Sequence, residues 1–578
     1  MGKTSANAVS RDWGFWWMSG LIVLAGLAAF DRSILSCFYL DDGWQIEDSP
    51  WVEGGEWYRW TFRSIPFLIH WLTWKAFGMS APAFHAGNLL LHLFNGVLLR
   101  SFLEKLFVDE DRDAARLFSL WSALLFVVHP LASEITNYVR TRDIEMVLTF
   151  SLIAGLGAVV FAQGKARVSG LGGVVVGVIG ATFSKEIGVV CAIATSATGF
   201  YVIFSGKDVG MRMKIRTRPM GFLLAFLLLG VAILFFFTPA FKWGLGFVSD
   251  SRIWFHCLTQ ARVFWHYTWL FFAPFHLCSD HLVAWTISWR DIGAWMAVVG
   301  LVAVLAGVVF LSARKLCLEA CLVGGALFPI LLYFPLVSSE LMVEYRVYPA
   351  LPFACAVAVL LGFRLTDYFG FPRRHFAIQA TLAVLCVVLI GFSRSRTADW
   401  RNHQALTASI LREYPLQARA VTGLAWYYAE HGEPREVLAL HDEASRILDG
   451  VIQWNKETPY RRLDPGHYVM SRLDNESVYA LALALNGSPR AGEAQMSWLR
   501  ERLVTMKMDE PFLWNDFFYT RGRIRESSGD IVAAIADYQT ALGYAARGFS
   551  YGQEPYLYSQ QKALDRLLKK QAAMGKRD

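Results

Sequence analysis

Long apolar runs alternate with short polar loops along the first two thirds of the chain. Most of these runs have about 17–22 residues, the length that an α-helix needs to cross a hydrocarbon layer of ~30 Å. Backbone polar groups find no water inside lipid, so a run of this kind must satisfy them internally as a helix. The pattern therefore predicts an all-α, polytopic membrane protein.

Eleven segments follow this pattern of a long apolar run. They are residues 14–30, 84–106, 117–130, 144–162, 169–183, 187–204, 220–238, 293–312, 317–336, 346–363 and 376–393. No small-residue cleavage site follows the first run, so we interpret it as a retained span rather than a removed signal peptide. Two further segments, 64–78 and 261–278, are rich in Trp, Tyr and Phe, which favours interfacial or re-entrant helices.

Basic loops between the predicted spans indicate their orientation, because cytoplasmic loops carry an excess of Lys and Arg. Basic residues concentrate in three loops, at 207–218, 314–315 and 373–374. With a cytoplasmic N-terminus and eleven spans, all three loops lie inside and the C-terminal part lies outside. A full crossing by 261–278 would move two of the loops outside, which argues against a twelfth span.

The polar pattern changes near residue 395. From there to Asp578 the chain is polar, its charges recur at helical spacing, and no apolar run is long enough to span a membrane. We therefore predict a membrane domain over residues 1–394 and a soluble domain over residues 395–578. The soluble domain is long enough to bury its own core.

A helix-pair repeat marks the soluble domain. The segments "TGLAWYYAEHGEPREVLALHDEAS" and "RGRIRESSGDIVAAIADYQTAL" share apolar offsets and a central glycine, Gly432 in one and Gly529 in the other. A weaker copy, "YALALALNGSPRAGEAQ", lies between them. This pattern is typical of tetratricopeptide (TPR) arrays, which are α-solenoids. Such an array either binds an extended peptide on its concave face or serves only as a scaffold.

Composition agrees with a membrane protein. Charged residues make up 18 % of the 578 residues and the mean hydropathy is +0.35, whereas soluble proteins are about a quarter charged. Much of the net charge of +7 lies in loops, where it reports topology rather than nucleic-acid binding.

None of the eight cysteines lies in the soluble domain. Those in or beside apolar runs are interpreted as small core residues: Cys191, Cys317, Cys321, Cys355 and Cys386. Cys257 and Cys278 can pair only if both face an oxidising compartment, and the sequence leaves their state open.

Two adjacent carboxylates, Asp41 and Asp42, begin the loop after the first predicted span. A solvated loop start is the simplest interpretation of such a pair. This loop, however, is crowded with aromatic residues, namely Trp44, Trp51, Trp57, Tyr58 and Trp60. Neighbouring carboxylates in such surroundings repel each other, which raises the pKa of one of them. One can then accept a proton while the other orients it or the substrate.

Three cations, Arg140, Arg142 and Lys185, stand at span ends on the predicted outer side. A single cation there is equally well explained as a snorkelling anchor. Three together favour an anion site, and a lipid phosphate suits fixed cations near the headgroup plane. Glu134 and Glu186 stand near these cations, either as their salt-bridge partners or as members of the site.

One face of the second predicted span carries polar side chains at a spacing of three to four residues. They are His85, Asn88, His92 and Asn95. A metal site with two histidines needs further ligands, and no acidic residue accompanies them at metal spacing. Hydrogen bonding between helices is the favoured interpretation.

Several segments, in order, resemble the glycosyltransferase C (GT-C) superfamily, and within it the transmembrane and TPR repeat-containing protein O-mannosyltransferases and their bacterial relatives. The segments are "YLDDGWQI", "GMSAPAFHAGNLLLHLFN", "FVVHPLASEITNYVRTRD", "FSKEIGVV", "VEYRVYPALPF" and "RTADWRNHQALTASILREYP", within residues 39–415. Where the family commonly carries Tyr-Arg-Pro-Leu, this chain has "FRSIP" with Arg63. Where the family carries Glu-Arg-Tyr-Leu-Tyr, it has "EYRVYP" with Arg346.

The resemblance implies a GT-C-like transmembrane domain and a glycosyl transfer on the outer membrane face. Such enzymes take a sugar from a polyprenyl phosphate. A first-loop aspartate removes the proton of an acceptor hydroxyl, which displaces the lipid phosphate with inversion of configuration. By position, Asp41 is the expected base and Asp42 its neighbour.

The resemblance also implies a site for the donor phosphate. Its expected ligands are Arg142, Lys185, Arg140 and Arg346, which would stabilise the negative charge as it develops. The expected supporting residues are His129, Glu134 and Glu186.

We therefore expect a bacterial inner-membrane protein O-glycosyltransferase with a periplasmic TPR domain. Its expected partners are a polyprenyl-phosphate hexose, with mannose suggested by the family, an exported protein recruited by the TPR domain, and membrane lipids, but no nucleic acid. The lipid-linked donor is the only small molecule implied, no metal site stands out, and metal dependence stays open. The alternatives are sugar transfer to a lipid or cell-surface glycan, and a non-catalytic scaffold.

Overall fold

The computed structural model of the protein describes residues 2–59, 61–107, 112–164, 166–205, 251–334, 340–368, 374–463, 465–548 and 554–574. Over these residues the regular secondary structure is helical apart from one short two-stranded ladder, and loops connect the helices. The predicted all-α class is confirmed for this part of the chain. The span predicted at 220–238 lies outside the described residues.

Thirteen helices precede residue 400 in the described part of the chain. They are α1 (Gly2–Phe30), α2 (Ser64–Phe77), α3 (Ala81–Leu106), α4 (Arg112–Val128), α5 (Ser133–Asn137), α6 (Arg142–Ala162), α7 (Arg167–Thr182), α8 (Gly188–Ser205), α9 (Ser251–Phe272), α10 (Ile292–Ala313), α11 (Cys317–Leu331), α12 (Leu351–Tyr368) and α13 (Arg374–Asp399). Apolar residues from most of these helices form one continuous core.

Several of these helices could span a membrane. Five segments are long and apolar enough, namely Gly14–Leu35, Ala81–Leu106, Val139–Ala162, Ile292–Ala313 and Phe376–Asp399. A sixth candidate is the pair Arg112–Val128 and Pro130–Asn137, bent by 56°. Four other predicted spans are shorter apolar helices, Arg167–Thr182, Gly188–Ile203, Cys317–Leu331 and Leu351–Thr366. The count of eleven spans therefore stays a prediction.

The bend after α4 has a local cause. His129 precedes Pro130 and has extended backbone angles, φ −72° and ψ 130°. The proline ring disfavours a helical conformation for the residue before it. The chain therefore leaves α4 at His129 and resumes as a short helical segment in a new direction. This change of direction carries residues 133–141 back against the first loop.

The two aromatic-rich segments are helical but are not span candidates. Residues 64–77 form α2, which is 14 residues long, and residues 261–272 form the second half of α9. Both facts agree with the interfacial interpretation, which stays a prediction because no membrane boundary is defined.

The described cysteines are all free thiols. Cys257 directs its Sγ toward the carbonyl of Phe334 at 3.7 Å, whereas Cys278 directs its Sγ toward the carbonyl of Asp280 at 3.4 Å. The two thiols are thus not paired with each other. Of the five cysteines predicted in the core, four are buried and Cys317 is half-buried.

The chain after residue 400 forms an array of antiparallel helices. They are α14 (His403–Glu413), α15 (Ala418–Glu430), α16 (Pro434–Glu457), α17 (Pro465–Leu485), α18 (Pro489–Thr505), α19 (Pro511–Ser527), α20 (Ile531–Gly548) and α21 (Glu554–Met574). Each helix packs on the next, and α17 also packs on α15 and on α19. These three alternate helices therefore line one face of the array. The repeat pattern agrees with helix pairs, while the TPR assignment stays a prediction.

Glycines with positive φ make the tight turns of the array. Gly432, Gly487 and Gly529 have φ of 76°, 89° and 85°, values that other residues adopt only with strain. Two of these are the central glycines of the repeat pattern. The third belongs to the weaker copy, so all three predicted copies have the same turn.

The array is attached to the membrane part at several points. Tyr39 donates its hydroxyl to the carbonyl of Trp400 at 2.6 Å. The strand β1 (Trp285–Thr286) pairs antiparallel with β2 (Arg461–Arg462). Arg461 also makes a bidentate pair with Asp291 at 2.8 and 2.9 Å. The two predicted domains are therefore in extensive contact.

Helices α6 and α7 pack closely because glycines line their contact. A Cβ placed on Gly170 would lie 2.5 Å from the backbone nitrogen of Phe161, and one on Gly157 would lie 2.6 Å from the carbonyl of Gly170. Small residues allow such close approach between apolar helices. A Cβ on Gly172, in the same helix, would meet no atom within 4 Å.

We predict that Gly170→Ala destabilises the protein by about 1–3 kcal/mol because the helices must separate. Gly172→Ala is the matched control and should leave stability unchanged or slightly higher, since alanine favours the helix by up to ~1 kcal/mol. Thermal unfolding of both variants in detergent measures the effect. Equal melting temperatures would contradict the close packing.

Candidate functional site

The first loop, residues 36–59, contains a strained turn immediately before the acid pair. Leu40 has a φ of +48°, which is uncommon for a residue other than glycine. The chain then enters a single wide helical turn, Gly43–Glu47. Strain of this kind persists only where neighbouring contacts hold the backbone in place. Asp42 makes those contacts.

Asp42 is fully buried and accepts hydrogen bonds from three backbone N–H groups. Its Oδ2 accepts the N–H groups of Tyr39 at 3.1 Å and Val139 at 3.4 Å, and its Oδ1 accepts that of Arg140 at 2.8 Å. The pKa of Asp42 is raised to about 8, because burial disfavours the charged carboxylate by more than the three backbone donors stabilise it. Asp42 thus fastens the first loop to the start of α6.

Asp41 is half-buried and its side chain has different partners. Trp44 donates its indole N–H to Oδ1 at 3.1 Å, and Gln45 donates its amide to Oδ2 at 3.4 Å. Burial raises the pKa of Asp41, the charge of Glu340 raises it further, and Arg140 opposes both. A carboxylate with exposed surface and a raised pKa is suited to accept a proton from a substrate.

A group of five charged side chains, here called the charge cluster, comprises Arg63, Arg140, Asp143, Lys185 and Glu186. The Oδ2 of Asp143 lies 2.6 Å from Arg140, 3.2 Å from Arg63 and 3.1 Å from Lys185. Arg63 also donates to both oxygens of Glu186, at 3.1 and 3.2 Å. None of the five side chains is more than 24 % exposed. Three cations thus surround two carboxylates.

Local sequence explains how these residues meet. Arg140 and Asp143 are three residues apart where α6 begins, a spacing that places side chains on one face of a helix. Lys185 stands in the turn between α7 and α8, and Arg63 stands where the first loop ends at α2. Burial lowers the pKa of Lys185, and Asp143 counteracts this effect.

Arg140 joins the acid pair to the charge cluster. Its backbone N–H binds Asp42, while its guanidinium binds Asp143. The neighbouring Tyr138 accepts the backbone N–H of Asp41 at 3.2 Å through its hydroxyl. The segment 138–143 therefore brings Asp41 close to the cations of the charge cluster. Arg140 and Lys185 lie together in this cluster, as the sequence predicts.

Arg346 lies on the adjoining wall of this region. It donates to the carbonyl of Glu340 at 2.7 Å, and its guanidinium lies 5.0 Å from the ring centre of Tyr333. The ring of the preceding residue, Tyr345, lies 5.0 Å from the ammonium of Lys185. The predicted cation is thus next to the charge cluster, with Tyr345 beside it.

Arg142 contacts residues outside the charge cluster, and its predicted role at the donor phosphate stays a prediction. Arg142 is fully buried, and it donates to the side-chain oxygen of Asn88 at 2.8 Å and to the carbonyl of Phe84 at 2.6 Å. Asn88 in turn donates to the carbonyls of Ile135 and Tyr138. Arg142 therefore joins α3 to the bent segment, whereas Arg63 belongs to the charge cluster.

His129 and Glu134 also have structural contacts. His129 accepts the N–H of Leu131 at 3.2 Å and binds the carbonyl of Phe271 at 3.1 Å, which holds the bend after α4. Glu134 accepts the backbone N–H of Tyr345 at 2.8 Å. Neither residue has an ion pair with the cations of the charge cluster, whereas Glu186 pairs with Arg63 as a salt-bridge partner.

The polar face of α3 binds neighbouring segments, which confirms the preferred interpretation. His85 contacts the carbonyl of Cys37 at 3.2 Å, and His92 contacts the hydroxyl of Tyr348 at 2.9 Å. Asn95 accepts the hydroxyl of Thr149 at 2.7 Å. Among the described residues, no three His, Cys, Asp or Glu side chains are arranged to hold a metal ion.

Four residues of this region are not predicted from the sequence: Asp143, Arg419, Asp280 and Glu340. Asp143 stands three residues after Arg140, and that spacing could have indicated an ion pair. Arg419 makes a bidentate pair with Asp280, at 2.9 and 2.5 Å, and a third contact with Glu340 at 3.2 Å. These three partners are far apart in sequence, so no local signal could have connected them.

The chain matches no protein-family model, no curated protein and no solved structure. The acid pair and the charge cluster are therefore the features from which a function can be inferred.

We predict that Asp42→Ala destabilises the protein by about 2–4 kcal/mol, because three buried N–H groups lose their acceptor. Asp41→Asn is the matched control, since the amide keeps an oxygen for Trp44, and it should change stability by less than about 0.5 kcal/mol. Thermal unfolding in detergent compares the two. A larger loss for Asp41→Asn would reverse the assigned roles.

Proposed function

We propose that the protein is a membrane glycosyltransferase that moves a hexose from a polyprenyl phosphate to a hydroxyl of an exported protein. The observation that carries this proposal is the half-buried Asp41 beside a cluster with three cations and two carboxylates. A proton acceptor next to excess positive charge suits a reaction in which a hydroxyl attacks and a phosphate leaves.

The buried cations support an anionic ligand. Arg63, Arg140 and Lys185 outnumber Asp143 and Glu186 by one charge within the cluster. A buried excess charge is costly unless another anion approaches it. A lipid phosphate carries that charge at the level of the headgroups, and arginine side chains bind phosphate oxygens well.

The proposed reaction, which the family resemblance suggests, uses this arrangement. Asp41 takes the proton of the acceptor hydroxyl, and the hydroxyl oxygen bonds to the anomeric carbon of the sugar. The bond between that carbon and the phosphate oxygen breaks on the opposite face, so configuration inverts. Arg140, Lys185 and Arg63 stabilise the negative charge on the leaving phosphate, with Arg346 on the adjoining wall.

Membrane context completes the proposal. The apolar helices supply a surface for a polyprenyl tail, and the resemblance to the GT-C O-mannosyltransferases suggests mannose as the first sugar to test. We place the N-terminus in the cytoplasm and the helix array in the periplasm of a bacterial inner membrane. A scaffold without catalysis would have no use for buried cations beside a half-exposed carboxylate.

We predict that Asp41→Asn lowers the rate of sugar transfer about 10²–10⁴-fold, the usual contribution of a general base, without weakening donor binding. The test uses purified protein, undecaprenyl-phosphate mannose and candidate periplasmic proteins, with Asp113→Asn as an exposed-acid control. Since burial raises the pKa of Asp41, activity of the native enzyme should rise with pH through a midpoint above that of an ordinary aspartate. Full activity of Asp41→Asn would exclude Asp41 as the base. Transfer to glycolipid but to no protein would change the acceptor class.

A second prediction concerns the phosphate. Lys185→Gln should lower kcat/KM for the donor about 10²-fold, because one stabilising charge on the leaving group is lost. The matched control is Lys105→Gln, an exposed lysine near the end of α3. Unchanged kcat/KM in Lys185→Gln would remove this residue from the donor site.

A further inference from the structure

The first loop contacts the last helix of the array as well as its beginning. Lys562 on α21 donates to Asp48 at 2.8 Å and to Glu53 at 2.9 Å. Helix α21 also packs against the wide turn Gly43–Glu47. The chain segment that follows the acid pair is thus attached to residues more than 500 positions away.

Other charged residues of the loop lie close to the same array. Glu47 lies within electrostatic range of Glu430 and His431, where α15 ends. Asp48 lies within range of Glu430 and of Tyr519, which belongs to α19. Helices α15, α17 and α19 line one face of the array. The loop therefore lies along this face, here called the inner face, and reaches from α15 to α21.

The loop is anchored on the other side of Asp41 too. The hydroxyl of Tyr39 binds Trp400, and the Tyr39 ring lies 4.6 Å from that of His403, which in turn stacks on Tyr427 at 3.8 Å. His403 and Tyr427 belong to the first helices of the array. Asp41 is thus located between one anchor at the beginning of the array and another at its end.

We infer that the inner face of the array is the docking site for the chain's own first loop, and that this docking positions Asp41. The occupant is an acidic segment, with Glu47, Asp48 and Glu53, and the array presents Lys562 to it. The array therefore belongs to the catalytic unit, and the inner face is not a free groove for an acceptor peptide. The effect of this docking on catalysis by Asp41 rests on the proposed function, whereas the docking of the loop itself does not.

The two anchors differ in strength. The Tyr39 anchor is buried, whereas the Lys562 ion pairs are exposed, with 48 % of the lysine side chain accessible. Exposed ion pairs are weak and are screened by salt. The Lys562 end is accordingly the part of the docked loop that a single charge change can release.

The experiment measures loop release without any sugar. An arginine-specific protease is used to cleave after Arg59, whose side chain is 58 % exposed at the end of the loop. Cleavage of a locally opened segment follows the population of the open form. Lys562→Glu should speed cleavage about tenfold, which corresponds to ~1.4 kcal/mol, because two attractions become repulsions. Lys569→Glu, on the same helix, is the control and should leave the rate unchanged.

A charge reversal tests the contact itself. Lys562→Glu combined with Asp48→Lys and Glu53→Lys should return cleavage at Arg59 to within about twofold of the native rate, since opposite charges again face each other. Restoration also shows that Lys562→Glu has not simply unfolded the array. Cleavage that is unchanged in Lys562→Glu, or is not restored in the triple variant, would overturn the docking.

Transfer kinetics then test the positioning of Asp41. Lys562→Glu should lower kcat about tenfold with an unchanged KM for the lipid donor, and the triple variant should restore kcat. Faster transfer in Lys562→Glu would overturn the inference, because the docked loop would then be a closed lid. If the native protein transfers no sugar at all, the proposed function fails, while the cleavage rates still decide the docking.

Discussion

The three backbone hydrogen bonds accepted by the buried Asp42 carboxylate hold the candidate site together. They connect a strained turn of the first loop to the segment where α6 begins. The segment carries Arg140, whose backbone binds Asp42 and whose guanidinium binds Asp143. The position of the proposed base relative to the cations therefore depends on one carboxylate that takes no part in the proposed chemistry.

This arrangement gives the adjacent carboxylates different physical states. Asp42 binds backbone donors and is inaccessible, so its oxygens serve as structural hydrogen-bond acceptors. Asp41 has side-chain partners and exposed surface, and its pKa is raised by burial and by Glu340. Two residues with the same chemistry thus acquire separate roles from the direction in which the backbone turns at Leu40.

The sequence predicted those features that depend on residues close together along the chain. Apolar runs predicted helices, the repeat with central glycines at 432 and 529 predicted the helix pairs of the array, and the polar face of α3 predicted hydrogen bonds between helices. Arg140 and Lys185 were expected near one another and are. Side-chain direction was the part that could not be predicted. Arg142 stands two residues from Arg140, yet it points into α3 because Asn88 and the carbonyl of Phe84 bind it.

Long-range partners were likewise beyond sequence reasoning. No periodicity connects Lys562 with Asp48, or Arg419 with Asp280 and Glu340, because these contacts arise only when the array folds back onto the membrane part. They also bear on the role of the array. We infer that the face formed by α15, α17 and α19 holds the loop with the acid pair, so that the two predicted domains are in direct contact.

We propose that Asp41 acts as a base in a single displacement from a polyprenyl phosphate. The most direct measurement is the anomeric configuration of the transferred sugar, read by NMR from the product of a donor with known configuration. A single displacement gives inversion of the anomeric configuration, because the hydroxyl attacks opposite the leaving phosphate. Retention of configuration, or a sugar covalently bound to Asp41, would contradict it.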